Sequence, residues 1–117
     1  MSDKTADRQI IGAEHAEFLP YDLEGPLQSD IAWRPISYDR KLGEGSYLMR
    51  LKPGARTIPH DHPGFEDFLV LEGQLTDSDG RIFRKGDFVS YRPGTHHNSW
   101  TDTGCLIAVF EWRPGRT

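Results

Sequence analysis

Seven residues constrain this chain more than any other stretch: His60-Asp61-His62-Pro63-Gly64-Phe65-Glu66, which lead into the apolar run Phe68-Leu69-Val70-Leu71. On a β-strand the side chains at i and i+2 point to one face, with Cα atoms about 6.6 Å apart. His60 and His62 therefore converge. The turn-forming pair Pro63-Gly64 lets the chain reverse and return the Glu66 carboxylate to the same side. Two histidines spaced by one are weak evidence alone. Here, however, four of the five histidines fall in two clusters, His60/His62 and His96/His97, and each lies beside a Pro-Gly pair. The pattern is that of a metal site built on sheet, with a fourth ligand supplied from elsewhere in the chain.

Such a site needs a β domain around it, and the composition agrees. Twelve glycines and eight prolines in 117 residues exceed the average usage of about 12% and favour turns and short strands over long helices. The length suits one domain spanning residues 1–117. Residues 1–8, at a terminus and poor in apolar side chains, are expected to be disordered. A net charge of −4 without a basic block lacks the electrostatic footprint of a nucleic-acid binder. Cys105 is the one cysteine, so no intrachain disulfide forms and a reducing compartment fits. The opening MSDKTADRQ has no apolar signal-peptide core, and the longest apolar run, 105–110, is far short of a membrane span. A soluble, cytoplasmic protein without a membrane partner is the expectation.

Strand signals are dense from residue 31 onward. A hairpin is predicted from 31–38 and 46–52 around Gly43-Glu44-Gly45, and Pro53-Gly54 leads into the histidine strand. An earlier strand is predicted near 16–21, followed by a loop over 23–30, and His15, flanked by glutamates, reads as a surface residue. After Gly73 short strands at 74–77, 81–83, 88–91 and 97–101 alternate with glycine-containing turns. The last strand, 105–112, is apolar at nearly every position, which implies burial on both faces. The fold class is all-β, an antiparallel barrel or sandwich. Phe68 and Val70 alternate with Leu69 and Leu71, and 105–110 is apolar on both sides, yet a barrel interior hides one face of each strand. A homodimer packed sheet against sheet, with the N-terminal arm crossing to the partner, is therefore expected.

These residues resemble a family. Gly54, His60-x-His62, Glu66 and Gly73 keep every spacing of the first cupin motif, and Gly86 through Pro93-Gly94-Thr95 and the following histidines resembles the second. The second departs from the family pattern, with one residue too many between Gly86 and Pro93 and an early histidine, so by itself it leaves His96 and His97 open. A narrower resemblance, to the cupin domain of ChrR-type anti-sigma factors and related single-domain proteins, aligns Trp100 and Gly104-Cys105-Leu106 and selects His97. It covers roughly residues 31–112 and implies a jelly-roll barrel with the metal inside. The anti-sigma N-terminal domain has no counterpart in this chain, so sigma-factor binding is not carried over.

The implied ligand set is His60, His62, Glu66 and His97. Three imidazoles and a carboxylate suit one divalent transition metal, Fe(II), Zn, Mn, Ni or Co, and disfavour Ca and Mg, which take oxygen donors. Small cupins that resemble this chain include diketone- and acetophenone-cleaving dioxygenases, which implies metal-dependent dioxygenation of a small organic molecule. The ChrR-like resemblance implies an alternative, a non-catalytic zinc sensor or binding module. A cupin isomerase or decarboxylase is a second alternative, but no residue stands out as its general acid or base, and no catalytic residue is assigned. Arg50, Asp67 and His96 lie near the ligands in sequence and are candidate hydrogen-bond partners, though each reads more readily as a surface residue. Phe65, Phe68, Tyr91, Trp100 and Phe110 are candidates for a pocket wall or plain core. Cys105, in an apolar strand, reads as a small hydrophobe and not as a ligand.

Overall fold

The computed structural model describes residues 2–4, 7–23 and 25–115, and its regular elements are all β-strands. In chain order they are β1 (Ser2–Lys4), β2 (Gln9–Ile11), β3 (Leu19–Pro20), β4 (Ile31–Pro35), β5 (Gly45–Leu51), β6 (His60–Asp61), β7 (Phe65–Asp77), β8 (Ile82–Arg84), β9 (Phe88–Tyr91), β10 (His96–His97), β11 (Ser99–Trp100) and β12 (Cys105–Trp112). The main sheet runs β11-β7-β12-β5-β4-β3, with β8 and β9 also paired to β7. Two separate ladders join β1 to β2 and β6 to β10. Every pairing is antiparallel. The all-β expectation holds, but among the described residues these pairings do not close into a ring. The path ends at β3, two residues long, where Pro20 has no N–H to offer a further strand.

Cross-strand register builds the core from the alternation in each strand. Trp33 lies opposite Met49, Met49 opposite Ile107 and Ile107 opposite Val70, so one apolar row crosses β4, β5, β12 and β7. A neighbouring row runs through Tyr47, Val109 and Phe68. Trp33 anchors this interior, edge-on to Tyr21, Tyr38 and Tyr47 at centroid distances of 5.4–5.9 Å. Glu66 lies two residues before Phe68 and so shares its inward face. The pleat thus carries one carboxylate inside at the end of an apolar row.

Strand β7 is one 13-residue element where the sequence suggests a break at Gly73. Its first part pairs with β12 and β9, and its last part with β8 and β11. The change of partners is made by a register shift at Leu106/Ile107 and by Gly73 at φ 72°. A Cβ there would lie 2.0 Å from the Gly104 carbonyl oxygen, so only glycine fits. This turn of the strand sends Asp77 to the same end of the molecule as the histidines.

Several expectations are corrected. Residues 1–8 are not wholly unstructured, because Ser2–Lys4 pairs with Gln9–Ile11 through backbone bonds that need no apolar side chains, while residues 1, 5 and 6 lie outside the described residues. The strand near 16–21 is confined to Leu19–Pro20, and that at 97–101 is interrupted at Asn98. Strand β12 is buried on both faces only up to Ile107; Ala108 is partly buried, and Phe110 and Trp112 are exposed and stack on Phe88 and Phe65. No helix among the described residues is long and apolar enough to cross a membrane.

Candidate metal centre

The β6–β10 ribbon sets the three imidazoles. His97 is the Cα partner of His60, and the ladder continues as the His62 N–H donates to the Thr95 carbonyl at 3.0 Å. Strand geometry therefore places His60, His62 and His97 on one face. Asp61 and His96 occupy the other, where they pair with each other at 2.7 Å in solvent. The structure thus brings His97, and not His96, to the cluster. Glu66 enters from β7, with its Oε1 3.4 Å from His62 Nε2 and 3.5 Å from His97 Nε2, and its Oε2 3.8 Å from His60 Nε2. One ligand atom from each of the four residues lies within 4.8 Å of all the others.

Hydrogen bonds at the far side of each ring set its tautomer. His60 Nδ1 faces the Ile58 carbonyl at 2.8 Å, His62 Nδ1 faces Thr95 Oγ1 at 2.8 Å, and His97 Nδ1 faces Asp77 Oδ1 at 3.0 Å. The Thr95 hydroxyl spends its own proton on the Arg92 carbonyl, so it accepts from His62. With Nδ1 protonated in all three rings, each Nε2 presents a lone pair to the centre. His62 Nε2 nevertheless lies 3.2 Å from His60 Nε2 and 3.0 Å from His97 Nε2. Facing lone pairs at that range require a cation or proton between them. Donors about 2.1 Å from a shared ion are about 3.0 Å apart at right angles and about 3.4 Å apart at the tetrahedral angle. The four residues fit a transition-metal ion.

Protonation favours the same conclusion. Burial raises the Glu66 carboxyl, but in the metal-free site hydrogen bonds from His60 and His97 with Nε2 protonated, and the charge of the protonated imidazoles, outweigh it and pull the pKa down to about 2; an ion at the same point takes the place of those protons. Burial, partly offset by Glu66, lowers His62 from 6.5. Both groups are depressed, so both favour the native site at higher pH. The His62 contribution is complete above about 6.5 and is lost as pH falls through its lower native value. The Glu66 contribution is present above about 4.5 and is lost as pH falls towards 2. Metal retention is accordingly expected to fall once pH drops below about 6.5, as protons compete for imidazole lone pairs. Metal content after equilibration at pH 7.5, 6 and 5 checks this, and full occupancy at pH 5 would contradict it.

His60, Glu66 and His97 also line an interior cavity of about 40 Å³, room for about three waters. Its remaining wall includes Met49, Phe68, Leu75, Ile107 and Val109. Of its polar groups, Gln28 donates to the Arg56 carbonyl, Thr57 to the Ser99 carbonyl and the Tyr47 hydroxyl to Glu111. Among the described residues no lysine or arginine lines it, and Glu66 is its one acidic residue.

Arg50, Asp67 and His96, the candidate partners that read more readily as surface residues, do other work. Arg50 pairs with Glu72 at 3.8 Å and lies over Phe18; Asp67 accepts from Ser90 and from Trp112 Nε1; His96 is exposed. Of the candidate wall aromatics only Phe68 lines the cavity. Tyr91 stacks on His97, while Trp100 lies under Arg56. Cys105 is buried in the core, and burial pushes its thiol up to about 11. The partners that hold the imidazoles, Thr95 and Asp77, were not singled out in the sequence. Thr95 had a signal in its place after Pro93-Gly94, two residues before His97. Asp77 had none, since its neighbour Ser78-Asp79-Gly80 reads as an ordinary turn.

Comparison with known proteins places this geometry. Residues 12–114 match the ChrR cupin-like domain family. An RmlC-like cupin from Ralstonia eutropha JMP134 superimposes with a TM-score of 0.72 at 15% identity, over 87% of this chain and 67% of that one. An acetylacetone dioxygenase from Acinetobacter johnsonii gives a TM-score of 0.70 at 11% identity, over 93% of this chain and 77% of that one. Among curated proteins, nonribosomal peptide synthetase 4 of Gibberella zeae is 33% identical over 73 residues, 62% of this chain but only 1% of that protein.

Proposed function

The chain belongs to the ChrR cupin-like domain family, and from that premise we propose that it is a metal-dependent dioxygenase of a small, uncharged organic molecule. The supporting observation is that three of the four candidate ligands, His60, Glu66 and His97, form part of the wall of an otherwise largely apolar cavity. A closed structural site presents no such face. Gln28, Tyr47 and Thr57 direct their donors to partners within the protein, so a substrate would be oriented mainly by its own oxygens at the metal and by apolar contact with Phe68, Leu75 and Ile107. The absence of lysine or arginine from the wall disfavours sugar phosphates and dicarboxylates. Bound Fe(II) would supply the binding and activation of oxygen. The chain itself holds the ion through the four ligands, keeps the imidazoles in the donor tautomer and excludes bulk water with the apolar wall. A 1,3-diketone fits this description, and the likeness to an acetylacetone dioxygenase makes acetylacetone the first probe.

The test is oxygen uptake by iron-loaded protein with acetylacetone and a panel of small ketones. The expected result is iron-dependent uptake with one O2 consumed per substrate, a C–C bond broken and both oxygen atoms recovered in the two carbonyl products. No uptake with any member of the panel would overturn the dioxygenase reading. A second reading, a zinc-held binding module, is supported by the Glu66 distances of 3.4 and 3.5 Å to His62 and His97, which are close to tetrahedral edges. Stoichiometric four-coordinate zinc together with absent oxygen uptake would establish it.

A further inference from the structure

The three imidazoles are not held alike. His60 faces a backbone carbonyl and His62 a neutral hydroxyl, whereas His97 faces a carboxylate. That carboxylate, Asp77, is buried, with a side chain 11% exposed, and among the described residues pairs with no lysine or arginine. Its other oxygen accepts the hydroxyl of Tyr91, whose ring lies parallel to His97 with centroids 4.0 Å apart and 18° between planes. Asp77 is the last residue of β7, directly before the turn at 78–80, but its side chain does not serve that turn. Asp79 does so, by accepting the Arg81 N–H at 2.9 Å. Strand pairing explains the placement: Asp77 is the Cα partner of Ser99, which puts it diagonal to His97. A buried carboxylate without a cation is costly unless positive charge reaches it. Here the available source is the imidazole of His97, polarised by an ion at its Nε2.

We propose that Asp77, clamped by Tyr91, is a positioning residue that fixes the Nδ1–H tautomer of His97 and makes this ring the strongest nitrogen donor of the site. The inference rests on the four-residue metal site and assigns it an internal asymmetry. Partners of this kind set metal affinity by about 10–100-fold. Asp77→Asn keeps the shape and an acceptor oxygen while removing the charge; Tyr91→Phe keeps the stacked ring while removing the clamp.

The test uses zinc alone, measured by chelator competition, together with the ring N–H signals of the zinc-loaded protein by NMR. Asp77→Asn is expected to weaken zinc binding by about 10–100-fold and to shift the His97 Nδ1–H proton upfield, with the signals of His60 and His62 unmoved. Tyr91→Phe, which keeps the carboxylate, should change zinc affinity less than Asp77→Asn does. Unchanged affinity in Asp77→Asn overturns the proposal. So does weaker binding with an unmoved His97 signal, because that outcome marks a merely structural role. A wild-type chain that takes up no zinc overturns the metal site and this proposal together, whereas failure in the variant alone overturns only this proposal.

Discussion

Replacing His97 by alanine is expected to weaken metal binding by at least about a hundredfold, whereas His96→Ala should leave it within about twofold. The scale follows from structural zinc sites, where about 10–16 kcal/mol is shared by four ligands, or roughly 2.5–4 kcal/mol each, and 1.4 kcal/mol is a factor of ten. The contrast follows from strand geometry. Adjacent residues of β10 point to opposite faces, so His97 turns inward to Glu66 and His62 while His96 turns outward to Asp61. Metal content of the two variants after dialysis against a weak chelator checks both halves. Equal loss in the two variants, or greater loss in His96→Ala, would overturn the placement.

Removing the metal from the wild-type protein should lower Tm by roughly 12–16 °C without unfolding it at room temperature. Without an ion, Glu66 and three imidazole lone pairs face one another inside the protein, an arrangement that costs several kcal/mol. An ion bound only by the native state, at about a thousandfold above Kd, contributes about 4 kcal/mol. For a domain of this size about 1 kcal/mol shifts Tm by roughly 3–4 °C. The larger apolar core does not depend on the ion: Trp33, Met49, Phe68, Val70 and Ile107 are buried in a continuous cluster built by β4, β5, β7 and β12. A cooperative transition should therefore persist in the stripped protein, unlike a zinc finger. Calorimetry with chelator and then with metal restored measures the effect. An unchanged Tm after verified removal of the metal would contradict it.

The candidate ligands were legible because their spacing is local. His60-x-His62 needs only the two-residue pleat, and Glu66 needs only the Pro63-Gly64 reversal. His97 was reached through resemblance, and the ribbon that seats it opposite His60 is a tertiary fact. Asp77 was illegible for a physical reason. It is 20 residues from His97 in sequence, and its inward direction depends on β7 running through Gly73 without a break and pairing with β11. The same long-range pairing decides burial. Phe110 belongs to an apolar run yet lies outside the main row, on a face that β12 leaves exposed. Alternation within one strand says which residues share a face, but not what covers it.

The central claim is that His60, His62, Glu66 and His97 hold one divalent transition metal ion. X-ray absorption at the edge of the metal that copurifies, with total metal per chain measured on the same sample, tests it most directly. The account predicts one ion per chain, bound by three histidine nitrogens and at least one carboxylate oxygen at about 2.0–2.2 Å. The Glu66→Ala protein should lose either the ion or that oxygen. A sulfur scatterer at about 2.3 Å, or a spectrum in Glu66→Ala identical to that of the wild type at full occupancy, would contradict it.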